Sequence, residues 1–285
     1  MLGPRGALEA IGRLPDIEID IAGAALQFAR IDAPEGDWGA VERHLSELAR
    51  EAIELARGVA PGDLPARAGA LAGLLTGRHR YRGDSETYDD AANANLIHVV
   101  ERRRGLPVAL GVLWLHCARA IGWGAHGIDF PGHFLIALEA ESTNRRHRQA
   151  TAQQVVLDVF AGGVPLEARE LRTLLKHVAG PSVELKPGVL QPMSARRVLL
   201  RLQENVRVRR LRHEDYEGAL ACTEDMLRIA PDTAALWREA AAMHQRLDHV
   251  AAALKSLARF LDLVPTGDAA ARARATMDDL RTRLN

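Results

Sequence analysis

Residues 101–138 read ERRRGLPVALGVLWLHCARAIGWGAHGIDFPGHFLIAL and decide how the chain folds. They contain a Gly-Leu-Pro break, a long apolar segment that ends near Gly122, and a Pro-Gly-His sequence before a run of β-forming residues. Proline is favoured in the first turn of a helix, where an N–H would have no partner in any case. The stretch therefore predicts a buried central helix with Pro107 in its first turn, and then a strand that opens with Pro-Gly-His.

Before this stretch, apolar residues at helical spacing predict amphipathic helices over residues 17–30 and 38–55. Residues 78–90 are polar and rich in turn formers, so we expect a loop that carries Tyr81 and Tyr88 at its surface.

After the central helix the apolar period changes from about 3.6 to about 2, which indicates strands. Residues 134–138 and 154–160 are rich in β-formers, and the polar residues 141–153 between them suit a long hairpin loop. An amphipathic helix is predicted over 166–178, followed by an irregular connector at 181–193. The fold class is therefore α+β, with helices packed against a small antiparallel sheet.

The C-terminal third contains an internal repeat. Ala219 and Pro231 recur as Ala253 and Pro265, both at an offset of 34 residues, and Trp237 precedes Pro265 by 28 residues. A period of about 34 residues is typical of tetratricopeptide repeats, whose stacked helix pairs leave a concave surface for a partner. We expect a core domain over 1–180 and an all-α repeat domain over 194–285.

The charge balance and the cysteines limit the classes of function. The 285 residues include 37 basic and 37 acidic side chains, so the net charge of zero favours neither nucleic acid nor a membrane as a partner. Cys117 and Cys222 lie in separate helical patterns, which argues against a disulfide framework or a cysteine metal site. The N-terminal segment has no apolar stretch typical of a signal peptide. We expect a cytoplasmic protein without a metal or a cofactor.

These residues resemble a bacterial family, the SirB-type transglutaminase-like proteins with C-terminal tetratricopeptide repeats. The resemblance is carried by residues 101–123, by PGHFL at 131–135 and by LDVFAGG at 157–163. It implies a transglutaminase-like, papain-like helical core packed on a small sheet and followed by the repeats.

Active members of the wider superfamily use a cysteine at a helix N-terminus, a histidine on the following strand and an aspartate on the next strand. The resemblance places these roles at Pro107, His133 and Asp158, so a proline stands where the nucleophile would be. A helix N-terminus suits such a cysteine because its dipole and free N–H groups lower the thiol pKa. No Ser, Thr or Cys occurs from Gly105 to Gly111 to take the cysteine's place.

Three functions follow from this pattern. The missing nucleophile and the repeats favour a non-catalytic protein, a pseudoenzyme that acts as a protein-interaction or regulatory scaffold. One alternative is a cryptic hydrolase or acyl-transfer enzyme centred on His133 and Asp158. Another is an anion or carboxylate site in which Gly105, Leu106 and Val108 at the helix start join His133 and Asp158.

The first helix of the repeat region is dense in arginine. It carries Arg196, Arg197, Arg201, Arg207, Arg209, Arg210 and Arg212. No aromatic residue lies among them to stack on bases, so a protein partner with an acidic segment is favoured over nucleic acid. The candidate partner-binding residues are Arg197, Arg201, Arg207 and Trp237.

Overall fold

The computed structural model describes residues 3–140, 153–185 and 188–282, so the hairpin loop predicted over 141–153 lies almost entirely outside them. Contacts within the chain define two compact units. The core unit is Pro15–Leu202, and the repeat unit is Met1–Leu14 together with Gln203–Asn285. The domain bounds of 1–180 and 194–285, drawn from sequence, stay a prediction.

Helices make up most of the described residues. In chain order they are α1 (Pro4–Gly12), α2 (Ile21–Asp32), α3 (Trp38–Ala56), α4 (Leu64–Ala72), α5 (Leu96–Arg102), α6 (Pro107–Ile121), α7 (Ala168–Ala179), α8 (Ala195–Arg212), α9 (Tyr216–Ile229), α10 (Ala234–Arg246), α11 (Val250–Leu263) and α12 (Asp268–Thr282). Several begin where a short polar side chain accepts a hydrogen bond from a first-turn amide, as Asp37 does for α3 and Asn95 for α5.

Helix α6 is the centre of the core unit. Every residue from Pro107 to Leu115 is buried, as are Cys117 and Ala118. The helix contacts α2, α3, α4 and α5 on its sides. Its first nine residues are buried on every side, so they leave no face to water and neighbouring elements cover them. The last turn is less buried, and Arg119 is exposed.

The strands are β1 (Arg82–Gly83), β2 (Arg104–Gly105), β3 (Ala125–Ile128), β4 (Leu135–Glu139), β5 (Gln154–Asp158), β6 (Val164–Leu166) and β7 (Pro192–Met193). Five of them form one antiparallel sheet in the order β6-β5-β4-β3-β7, while β1 and β2 pair in parallel. Helix α7 covers one face through Leu171 and Leu175, which pack with Ile128, Leu135 and Ala137. Strands β3 and β4 also contact α6.

The α+β class is confirmed, and three local predictions are wrong. Helix α2 begins at Ile21, where Asp20 caps it, so Ile17 lies outside the helix and is 82% exposed. Tyr81 is only 2% exposed, because its hydroxyl has hydrogen-bonding partners in the interior. The strand predicted to open with Pro-Gly-His begins at Leu135, and His133 lies in the preceding turn, where Gly132 adopts a φ of 68°.

The repeat unit explains the offset of 34 residues. Ala219 of α9 and Ala253 of α11 are both fully buried, since each allows close approach of a neighbouring helix. A cluster that includes Ala241, Leu257 and Phe260 forms the apolar core of the last helices. Within the described residues the unit is entirely helical, as predicted.

Helix α1, which the sequence analysis did not predict, belongs to this unit. It contacts α9, and Arg5 binds both carboxylate oxygens of Asp225 with distances of 2.9 and 3.3 Å. Gly12 comes so close to the Arg228 carbonyl that a Cβ at this position would overlap it. The N-terminal helix is therefore attached to the repeat helices by both charge and close packing.

Substitution of Gly163 tests how tightly α6 is packed. It has a φ of 86°, and a Cβ here would overlap the ring of the buried Trp114 on α6. Gly163→Ala adds this overlap to a left-handed backbone that costs about 1–2 kcal/mol, so we expect a loss above about 3 kcal/mol in unfolding free energy. Gly62→Ala is the matched control, because Gly62 has a φ of 82° but nothing within 4 Å of a Cβ. Equal losses of melting temperature for the two variants would contradict the packing argument.

Candidate functional site

The start of α6 is a packed corner. Gly105, Leu106, Pro107 and Val108 are all buried, and Pro107 lies in the first turn as predicted. The Leu106 amide donates to the Asn93 carbonyl at 2.9 Å, so it has a partner within the chain. The proposed ligand-binding role of these residues stays a prediction.

His133 and Asp158 meet in the folded chain, as the resemblance predicts. The His133 Nε2 donates to the Asp158 Oδ1 at 3.0 Å, and both side chains are largely buried. The turn that carries His133 is closed by its own amide, which donates to the Phe130 carbonyl at 2.9 Å. The other ring nitrogen, Nδ1, makes no hydrogen bond to the residues that the structure describes.

Asp158 holds the end of β5 as well as the imidazole. Its Oδ1 accepts hydrogen bonds from the amides of Phe160 and Ala161 at 3.0 and 3.2 Å. Burial opposes ionisation of this carboxyl, but the hydrogen bond and charge of His133 and the two amides together hold its pKa below the usual value. The carboxylate therefore connects the turn before β4 to the turn after β5.

Phe160 fills space between this pair and the start of α6. Its ring meets the His133 ring edge to face, with centroids 6.2 Å apart. It also lies directly against Gly83, where a Cβ would overlap it, and Gly83 pairs with Gly105 in the short parallel ladder. An aromatic ring thus covers the backbone beside the helix start. Phe160 belongs to the LDVFAGG motif, but nothing in the sequence predicts that its ring lies here.

Comparison with known proteins identifies the core. A family model described as the transglutaminase-like superfamily matches residues 39–204, which is more than half of the chain. The chain belongs to the transglutaminase-like superfamily. A tetratricopeptide repeat model matches residues 206–278, so the repeats are confirmed as well.

The relatives extend over nearly the whole chain. A UPF0162 protein of Xylella fastidiosa (strain Temecula1) is 27% identical over 277 residues, which cover 95% of this chain and 93% of the relative. A UPF0162 protein of Vibrio cholerae is 30% identical over 254 residues, covering 88% and 89%. Both have bacterial sources, and the resemblance to the SirB-type family is confirmed. A solved structure of menin aligns with a TM-score of 0.39 at 9% identity, covering 91% of this chain and 70% of menin.

Neither cysteine of this transglutaminase-like chain is placed to act as a nucleophile. Cys117 is fully buried, and burial, followed by the charge of Glu51, raises the pKa of its thiol to about 12. A thiol with so high a pKa stays protonated near neutral pH and is a poor nucleophile. Cys222 is buried in the repeat unit, where its sulfur lies 3.4 Å from the Gln203 carbonyl oxygen.

A second polar cluster in the transglutaminase-like core was not predicted. Arg103 donates to the Nε2 of His44 at 2.6 Å and also to the hydroxyl of Tyr81. The His44 and His79 rings meet edge to face with centroids 5.2 Å apart, and His79 Nε2 lies 3.0 Å from Glu51 Oε2. Arg103 ends α5 in a left-handed conformation, so this cluster fixes the chain just before α6.

The predicted partner-binding arginines make ion pairs within the chain. Arg197 and Arg201 approach Asp129 at 3.3 and 3.5 Å, and both belong to the core unit rather than the repeat unit. Arg207 lies 2.8 Å from Glu239 in the repeat unit.

Trp237, the fourth predicted partner-binding residue, is half-buried against the apolar core of the last helices. Its indole N–H donates to the Pro231 carbonyl at 2.7 Å. The contact joins the start of α10 to the turn that precedes it. The binding role of all four residues stays a prediction.

A cavity of about 440 Å³ lies in the core unit, beside the start of α8. Its polar groups already serve the fold: Asp16 accepts from the amides of Ala195 and Arg196, and Arg119 donates to the carbonyls of Ile17 and Ile19. The described residues contain no cluster of three or more His, Cys, Asp or Glu side chains that could hold a metal ion. Nor do they include a helix long and apolar enough to cross a membrane.

The buried histidines predict a pH dependence of stability. Burial, and then the charge of Arg103, lowers the pKa of His44 below 6.5, and burial also lowers that of His126 although Glu139 opposes it. Below about pH 6.5 the unfolded chain binds protons that the folded chain does not, so stability falls as the pH falls. Each such histidine contributes at most about 1.4 kcal/mol per pH unit across that window.

We therefore expect a lower melting temperature at pH 5.5 than at pH 7.5, and a smaller difference in His44→Gln, whose amide oxygen still accepts from Arg103. His213→Gln, which changes an exposed residue of the repeat unit, is the control and should keep the full difference. An unchanged pH response in His44→Gln would contradict the assignment.

Proposed function

We propose that this chain is a non-catalytic, regulatory member of the transglutaminase-like superfamily that acts as a protein-interaction scaffold through its repeat unit. The observation that carries the proposal is Pro107. A residue without a nucleophilic atom, buried in the first turn of α6, stands where the resemblance requires the reactive cysteine. Repeats of this type generally mediate contacts between proteins, which supports the binding role.

In this proposal His133 and Asp158 have a structural task. The pair ties the turn before β4 to the end of β5, and the two backbone amides on Asp158 add to the link. A buried polar contact is tolerated when its donors and its acceptor are paired with one another, since an unpaired group would carry its desolvation cost alone. Its persistence without a nucleophile is therefore consistent with a role in holding the sheet.

One observation favours the alternative, a hydrolase that uses water. A histidine oriented by a carboxylate, with its second ring nitrogen lacking a partner in the described residues, is the arrangement of a general base. The scaffold and the hydrolase predict different effects of removing His133 or Asp158 on the rate of hydrolysis and on the stability of the fold.

We expect wild type, His133→Ala and Asp158→Ala to hydrolyse activated esters and peptide amides at equal, background rates. Asp158→Ala should lose about 2–4 kcal/mol of unfolding free energy, because it leaves three donors without an acceptor. Asp158→Asn is the control, since its amide oxygen still accepts these bonds and it should lose about half as much or less. Hydrolysis by wild type that both alanine variants abolish would favour the enzyme instead.

The scaffold is tested by site-specific photocrosslinking of the full chain in the bacterium that encodes it. Benzoylphenylalanine replaces the exposed Val208 and Ala242 and the half-exposed Arg259 of the repeat unit, or the exposed Ile17 and Ile53 of the core unit. We expect discrete crosslinked proteins from repeat-unit positions. Crosslinks from the core unit alone would contradict binding through the repeats.

A further inference from the structure

The repeat unit contains a groove between its arginine-rich helix and α10. The cavity measures about 280 Å³. Its lining residues, which we call the Arg246 groove, are Arg207, Leu211, Tyr216, Glu239, Ala242, Met243 and Arg246. Residues 207 and 211 are four apart, and 239, 243 and 246 are spaced by four and three, so each set lies on one face of its helix. The pair of Arg207 and Glu239 joins the two faces at 2.8 Å.

The floor of the Arg246 groove is apolar. Leu211, Ala242 and Met243 supply it, and the flexible thioether of methionine adapts to side chains of different shape. Sites for free small molecules usually measure about 300–1,000 Å³. A cavity of about 280 Å³ lies just below this range and suits one large apolar side chain whose main chain stays outside.

The two arginines of the groove differ in their charge environment. Arg207 has a side chain only 9% exposed, and Glu239 and Glu204 approach it at 2.8 and 3.5 Å, so its charge is balanced within the unit. Arg246 is exposed, and it has no carboxylate partner among the described residues. Only Arg246 is therefore available to an anionic group from outside.

Tyr216 fixes the direction of the Arg246 guanidinium. Arg246 lies over the Tyr216 ring with 4.9 Å to the centroid, and its Nη2 donates to the Tyr216 hydroxyl at 2.9 Å. A guanidinium stacked in this way keeps a planar edge of N–H donors that matches the two oxygens of a carboxylate.

We propose that the Arg246 groove binds an acidic peptide segment of a partner protein. One large apolar side chain of the peptide sits on Leu211 and Met243, and a neighbouring carboxylate binds Arg246. The inference rests on the scaffold function proposed above and names the kind of partner. Single-stranded nucleic acid fits less well, because such binding needs several cations and open aromatic faces, whereas the Tyr216 face is covered by Arg246.

The test is a selection of random twelve-residue peptides displayed on phage against the immobilised full chain. Enriched peptides are synthesised with a fluorescent label, and their affinity is measured by anisotropy. We expect peptides with one Leu, Ile, Met or Phe within three residues of Asp or Glu. The affinity of these peptides should fall at least tenfold for Arg246→Gln, which removes the positive charge. It should fall as much for Ala242→Glu, which places in the groove a negative charge that repels the acidic peptide. Binding to the wild type should also weaken with added salt.

Arg259→Gln is the matched control. Arg259 is a half-exposed arginine on α11 of the same unit and does not line the groove, so its loss should leave the affinity unchanged. Melting temperatures of all variants separate lost binding from lost folding. Ala242→Glu changes an exposed side chain, so at least one groove variant should stay folded.

Three outcomes overturn the inference: enriched peptides that lack acidic residues, peptides that bind Arg246→Gln as tightly as wild type, or no enrichment at all. The photocrosslinks test the scaffold function separately. Crosslinks at Val208 or Arg259 without any at Ala242 would leave the scaffold standing and remove the groove. The absence of crosslinks at all three positions would remove both.

Discussion

Burial of the first nine residues of α6 is the constraint on which the core unit depends. A helical segment that is buried on every side must be enclosed by neighbours that fit it closely, because protein interiors are packed nearly as densely as organic crystals. The fit is made by aromatic rings that lie on glycines. The Phe134 ring lies on Gly111 of α6, and the Trp114 ring of α6 lies on Gly163, where any Cβ would overlap the ring. The sheet is thereby held against the helix at two points.

This packing decides what the start of α6 can do. A reactive cysteine requires an electropositive and partly exposed setting, in which the thiolate is stabilised and substrate can reach it. Here the first turn is buried, the Leu106 amide is bound to the Asn93 carbonyl, and Phe160 lies on the neighbouring backbone at Gly83. Replacing Pro107 by a cysteine would therefore supply the atom without the access.

The sequence predicted those elements whose apolar spacing continues over several turns, such as α3 and α6. It missed β3, β6 and β7, which have four, three and two residues and are too short to show a period. They exist because an adjacent strand pairs with them, which is tertiary information. Burial of Tyr81 was missed for the same reason, since its partner His44 is 37 residues away in the chain.

The candidate site was predictable only through family resemblance. Nothing in a separation of 25 residues implies that His133 meets Asp158, and the match of PGHFL and LDVFAGG to a known pattern supplied the pairing. The resemblance did not predict that Phe160 covers the backbone beside α6, nor did it predict the cluster around Arg103. The positions of these side chains depend on the space that remains around the packed helix.

Arginine density alone does not tell which charges of α8 are available to a partner, for a related reason. A guanidinium attracts a partner only to the extent that its charge is not already balanced nearby, and balance depends on tertiary neighbours. The arginines at 197 and 201 face Asp129, and Arg207 faces Glu239, so much of the charge on α8 is neutralised within the chain. Arg246 comes from a less basic helix, but an uncharged tyrosine is its neighbour. A single oriented cation beside an apolar floor therefore discriminates between ligands better than several arginines whose charges are balanced by nearby carboxylates.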